Sequence, residues 1–147
     1  MGRRTARLIF TVLALLTVGL AGSAAASAQL RWTGALLHDT AGSGPALTAL
    51  ACPSATLCVA VDAAGGAVAF NPSAPAPQTP VTIDTTLVTD VSCSSAARCV
   101  AVDAGGREVT FNPMDLGAAV ATAVDPGEIL FSVSCPPGGS ACAAVDG

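Results

Sequence analysis

Six cysteines stand at Cys52, Cys58, Cys93, Cys99, Cys135 and Cys142, and four residues after the second of each pair comes an aspartate: Asp62, Asp103, Asp146. Thiols at such spacing can cross-link, ligate a metal or cycle redox equivalents. Zinc knuckles use shorter spacings, and the sole histidine, His38, lies outside the cysteine-bearing segment. Redox pairs take the form C-x-x-C, which these do not. Structural disulfides remain, and their regular recurrence argues for local pairing: Cys52–Cys58, Cys93–Cys99 and Cys135–Cys142. Closing so short a loop stabilises by about 2 kcal/mol per bridge in the chain-entropy model.

The aspartates precede glycines, Gly65-Gly66 after Asp62, Gly105-Gly106 after Asp103 and Gly147 after Asp146. A carboxylate there accepts backbone N–H bonds in a tight turn while glycine supplies a positive φ, which makes Asp62, Gly65, Asp103, Gly106 and Asp146 structural turn residues. The functional alternative is a calcium or sugar ligand, but one carboxylate per turn falls short of the six to eight oxygens calcium takes. Asn71-Pro72 and Asn112-Pro113 read as turn starts in the same way. The pair His38-Asp39 is a polar strand exit rather than half of a catalytic group. No nucleophile elbow, H-E-x-x-H or P-loop is present. Trp32 is assigned to packing before sugar stacking. The expectation is therefore no catalytic residue, no metal and no cofactor.

These residues are carried by an internal repeat. Cys52 to Pro72, CPSATLCVAVDAAGGAVAFNP, returns from Cys93 to Pro113 as CSSAARCVAVDAGGREVTFNP, with 14 of 21 positions identical and no gap. A third copy opens at Cys135 as CPPGGSACAAVDG. Cys52 to Cys93 is 41 residues and Cys93 to Cys135 is 42. A fixed period near 40 marks a repeat architecture. Within one period four short strands are expected: Leu47–Cys52, Cys58–Asp62, Ala67–Asn71 and Pro80–Asp84 in the first copy. The second copy gives Val88–Cys93, Cys99–Asp103, Glu108–Asn112 and Ala121–Asp125, and the third opens with Leu130–Cys135. Each run alternates or is β-branched, and Gly, Pro, Ser or Asp bounds it. In CVAVD the valines share one face while Cys, Ala and Asp share the other. No window holds a 3.6-residue period. The proline-rich SAPAPQTP (73–80) becomes a connector between the third and fourth strands.

Ahead of the repeats, Arg3, Arg4 and Arg7 precede the uncharged LIFTVLALLTVGLA (8–21) and a small-residue site at Ala26, Ser27 and Ala28. That is the layout of a secretory signal peptide, and its apolar run is shorter than the roughly 20 residues of a membrane span. Residues 1–28 are read as the leader, 29–45 as an N-terminal strand and flexible segment, and 46–147 as repeats divided at 46–86, 87–127 and 128–147. Without the leader, three arginines face ten carboxylates, a formal charge of −7. Such a surface repels phosphate backbones and argues against nucleic acid as a partner. With no Tyr and one Trp, the core must be built from small β-branched residues.

Four antiparallel strands per 40 residues is the blade of a β-propeller. The pattern S-C-P-S…C-V-A-V-D-x-x-G-x-V…N-P resembles the cysteine-bearing propeller repeats of secreted bacterial proteins, over residues 46–147. More loosely it is similar to Asp-box and NHL-type blades. An Asp-box carries an aromatic shortly after its Gly, where this chain has Val68 and Phe70, then Val109 and Phe111. The resemblance implies an all-β partial propeller of about two and a half blades. Because the third copy stops at Gly147, a fragment of a longer array is expected, with homo-oligomerisation through the open blade edge as the alternative. The function expected is non-enzymatic: a secreted, extracellular binding or scaffold module for a protein or glycan ligand. The rivals are a glycosidase-like propeller with its catalytic residues in further blades, and a small self-assembling carbohydrate-binding module. Sialidase-like propellers use an arginine cluster and a tyrosine, whereas here Arg31, Arg98 and Arg107 do not recur between copies and Tyr is absent.

Overall fold

Val, Ala and Thr alternate through the repeats and glycine or proline interrupts them, so the chain extends and turns back before a helix can propagate. In the computed structural model, residues 44–74 and 76–147 are described, and they lie within one compact unit. The expected signal peptide, most of the N-terminal segment, Trp32, His38 and Asp39 fall outside them. Ten strands are present and no helix is found among the described residues. β1 (Leu47–Ser54), β2 (Leu57–Asp62), β3 (Gly66–Phe70) and β4 (Val81–Thr82) form one antiparallel sheet in chain order. β5 (Val88–Ser95), β6 (Arg98–Asp103), β7 (Arg107–Asn112) and β8 (Asp115–Ala123) form a second. β9 (Leu130–Ser134) and β10 (Ala143–Asp146) pair as a third, two-stranded sheet. All three sheets are open.

The fourth strands depart from the sequence expectation, each for a local reason. Pro80–Asp84 shrinks to the two residues of β4, paired with Gly66 and Ala67. Pro77 and Pro80 have no N–H to give a ladder, so pairing resumes only beyond them. The second copy has no such prolines. There the Asn112 side chain accepts the Met114 N–H at 3.0 Å, and pairing restarts at Asn112 with Asp115. The strand expected at Ala121–Asp125 thus begins six residues earlier, at Asp115, and ends at Ala123. β1 and β5 also run two residues past Cys52 and Cys93. Their hairpins close over Ala55-Thr56 and Ala96-Ala97, where the Ser54 and Ser95 hydroxyls accept the Thr56 and Ala97 N–H groups.

The strands at the middle of the sheets supply the core. Val59 and Val61 of β2 pack with Val88 and Val91 of β5 and with Val109 and Phe111 of β7. On β6 the alternation serves two neighbours at once. Cys99 and Ala101 join that first cluster, while Val100 and Val102 join Leu130 and Val133 of β9 and Cys135 just after it. Each sheet therefore covers the face of the one before it.

This layering sets an expectation for core substitutions. Val102→Ala, at 1% exposure, removes buried methyls and leaves a hole between sheets, a loss of about 2 kcal/mol. Val120→Ala, on the exposed outer strand at 62%, should stay within about 0.5 kcal/mol of the parent. Urea unfolding of the oxidised protein checks both.

Candidate functional site

Local hairpins place the cysteines. Cys93 and Cys99 are direct cross-strand partners in the β5–β6 ladder. The bridges are Cys52–Cys58, Cys93–Cys99 and Cys135–Cys142, with Cα atoms 4.0, 3.9 and 4.3 Å apart. No thiol is left over for a metal or for redox work. Three disulfides point to an oxidising environment.

The aspartates at the ends of β2 and β6 are bound to their own turns. Asp62 Oδ1 accepts the N–H groups of Ala64 and Gly66, both at 2.8 Å. Asp103 Oδ1 accepts those of Gly105 at 2.9 Å and Arg107 at 2.7 Å. Between them Gly65 and Gly106 take φ of 84° and 76°, and a Cβ at either would run into the carbonyl of Asp84 or Asp125. That close approach has a purpose. The Gly65 carbonyl accepts N–H bonds from Ile83 and Asp84, and the Gly106 carbonyl accepts them from Val124 and Asp125. One glycine thus makes the turn and receives the chain end returning from the fourth strand. Asp146 ends β10, exposed, with Gly147 after it.

One cluster was not anticipated from the sequence. Arg107 stands where the first copy has Gly66, and its side chain turns back over the aspartates. Nε donates to Asp103 Oδ2 at 2.8 Å, while Nη2 donates to Asp84 Oδ1 and to Thr86 Oγ1, the latter at 2.7 Å. Asp84 and Thr86 belong to the link between the first and second sheets, so the guanidinium fastens one repeat to the next. The available signal was the gapless alignment itself, which puts a cation at a turn position beside a carboxylate.

Burial pushes the Asp84 carboxyl up, a hydrogen bond with Asp103 adds to this, and the Thr85 N–H and Arg107 oppose it. Its Oδ2 is buried and accepts no hydrogen bond, which favours a proton there. Burial would raise Asp103 too. The backbone N–H and guanidinium of Arg107, with Asp84 and the Gly105 N–H, outweigh it and hold that carboxyl below the usual range. The hydrogen bond to Asp103 holds the Arg107 pKa above its ordinary value, against partial desolvation. Two carboxyls driven apart in this way are what an acid–base pair needs. Here, however, Asp103 is 0% and Asp84 6% exposed, with Arg107 laid against both. A substrate has no approach to either oxygen pair, and the cluster acts as a clamp. Among the described residues no group of three or more His, Cys, Asp or Glu side chains is disposed to hold a metal ion.

No protein-family model matches the chain, and no curated protein matches it either.

The clamp makes stability depend on pH in a defined direction. Asp84 binds its proton more tightly folded than unfolded. Its stabilisation is therefore complete below the usual aspartate value of about 3.9 and is lost as pH rises through the raised folded value. Asp84→Asn deletes this titration, so the stability of the parent relative to the variant should fall as pH is raised from about 4 toward neutrality. Urea titrations across that range read it directly, and a flat difference would show an unshifted Asp84. Asp103→Ala strips an acceptor from two turn amides and a guanidinium, at a cost of about 3 kcal/mol at neutral pH.

Proposed function

We propose that the chain is an exported, non-enzymatic repeat module of the β-propeller type, acting outside the cell as a binding or scaffold element for a protein or glycan. The observation that carries this reading is the fate of the buried carboxylates. Asp62 and Asp103 are engaged by turn amides and Arg107, and Asp84 is held through one oxygen by link amides and Arg107 while its other oxygen is buried. All three are buried, at 2%, 6% and 0% exposure, which withholds them from a substrate.

Two further observations support the architecture and the compartment. The four-stranded antiparallel meanders follow one another with valine-rich faces in contact, as blades do. Three short-range disulfides suit a small-residue core that must survive outside the cell. Recognition then falls to the loops on one rim of the stacked sheets, because function is carried by sites placed on a fold and not by the fold.

The reading is tested by offering the purified chain a panel of aryl glycosides and, in parallel, an array of immobilised extracellular glycans. Saturable retention on a glycan without turnover above buffer is the expected result. Hydrolysis that Asp84→Asn or Asp103→Asn abolishes would establish an enzyme instead.

A further inference from the structure

The two complete repeats bury the same face of their middle strands, but against different things. In the second copy Cys99 and Ala101 of β6 pair with Phe111 and Val109 of β7, all four on the face that meets the first sheet. The register repeats in the first copy, where Cys58 and Ala60 of β2 pair with Phe70 and Val68 of β3. The opposite face of those strands, with Val59, Val61 and Ala67, is the one that meets the second sheet. Among the described residues no sheet precedes the first, yet Cys58, Ala60 and Val68 are only 3%, 4% and 3% exposed. Neither apolar cluster of the described residues includes them. The bridge to Cys52 lies beside Cys58 and leaves Ala60 and Val68 to be covered from elsewhere.

The cover is narrow. On β1, Leu47 and Leu50 stay 53% and 59% exposed although Leu50 pairs with Ala60, whereas the matching Val88 and Val91 of β5 are buried. A whole sheet would take in the β1 positions too, as the first sheet does for β5. A single stretch of chain laid over β2 and β3 leaves them out. The chain enters the first repeat at the right end for this. Leu47 pairs with Asp62, the last residue of β2, and the Ala46 carbonyl accepts the Ala63 N–H at 2.9 Å, so the preceding residues set out from the β2–β3 turn. Residues 35–43 belong to the same compact unit as the repeats and read ALLHDTAGS. At about 3.3 Å per residue, nine residues reach up to about 30 Å, more than the roughly 20 Å of a strand the length of β2. Gly42 and Gly44-Pro45 supply the turn that lets the stretch double back, and Leu36 and Leu37 are its two large aliphatic residues.

We infer that residues 35–43 lie across the outer face of β2 and β3, with Leu36 and Leu37 supplying the apolar contact to Ala60 and Val68. The occupant is the chain's own segment because a second copy would bring a sheet, and a cover as wide as a sheet would bury Leu47 and Leu50. In the first repeat the segment takes the place that a neighbouring sheet takes in the second, and it serves as a cap on a valine and alanine face that would otherwise be wet. The inference does not depend on what the module binds.

A double-mutant cycle in urea tests this on the purified oxidised chain. Leu36→Ala together with Leu37→Ala forms one arm and Val68→Ala the other. Because both arms remove the same contact, the unfolding constant of the combined variant should fall short of the product of the separate effects by about fivefold. Val109→Ala, at the matching buried position of the second copy, should show no coupling to the leucines. Additive effects at Val68, or equal coupling at Val109, overturn the inference. A second readout is independent of stability. With a diazirine analogue of leucine at position 37, irradiation of the dilute folded chain should join that residue to β2 or β3 of the same molecule. A photolysed chain with no link to β2 or β3, or with links only between molecules, overturns it too.

Discussion

A sheet made of valine, alanine and cysteine cannot keep its own faces dry. The side chains of β2 and β6 are short, and the described core contains only one fully buried aromatic, Phe111. Sheet-on-sheet contact is what removes them from water, and at roughly 25 cal/mol per Å² a thin valine layer stabilises only if it is covered on the whole of its face. The middle strands show the consequence. From its second residue to its last, β6 is buried on both faces, facing the first sheet with Cys99 and Ala101 and the third with Val100 and Val102. The burial of β6 therefore depends on both neighbouring sheets.

Given that dependence, what remains for the rest of the chain is to hold each sheet in the orientation that lets the next one land. The aspartate turns do this at one end of the hairpins and the disulfides near the other. Asp62 and Asp103 fix the exit of β2 and β6, and the glycine carbonyl beside them receives the returning strand end. The disulfide ties β5 to β6 beside the two-residue turn that joins them. Between these two fastenings lie only a few residue pairs, so the position of the valines is set by covalent and charge-assisted contacts, and little depends on jigsaw packing of large side chains.

The features that could be read from the sequence are those whose partners lie close in the chain. Cysteine pairing, the Asp-to-amide turns and the strand–turn rhythm all involve separations of a few residues and recur on one period. What could not be read depends on where distant segments come to rest. Arg107 meets Asp84 across 23 residues, and in the sequence that arginine is merely a position where the copies differ. The fourth strand was misplaced because β-propensity says nothing about ladder donors, and Pro77 and Pro80 remove them in one copy only. Alternation told which residues share a face of β2, but not that the two faces of β6 would be covered by two different sheets. That needs the order of the sheets in space.

The differences between the copies have a logic of their own. Positions identical in both complete copies are the ones a single repeat needs: cysteines, the valines of β2 and β6, the turn aspartate and glycine, Phe70 and Phe111, and the Asn-Pro start. Positions that differ are the ones a junction needs. Gly66 becomes Arg107, which clamps the first repeat to the second; Ala49 becomes Asp90 and Ala51 becomes Ser92, which receive the third. At the second junction Arg98, which stands where the first copy has Leu57, also reaches the Ser140 carbonyl at 2.9 Å. Were every junction identical, nothing would distinguish a correct neighbour from a sheet one place out of order, and apolar faces of equal size would accept either. Assigning a different polar contact to each junction leaves a buried donor or acceptor unsatisfied whenever the order is wrong, a penalty of about 1–3 kcal/mol per group. The valines make the sheets adhere, and the residues that vary between copies decide which sheet adheres to which.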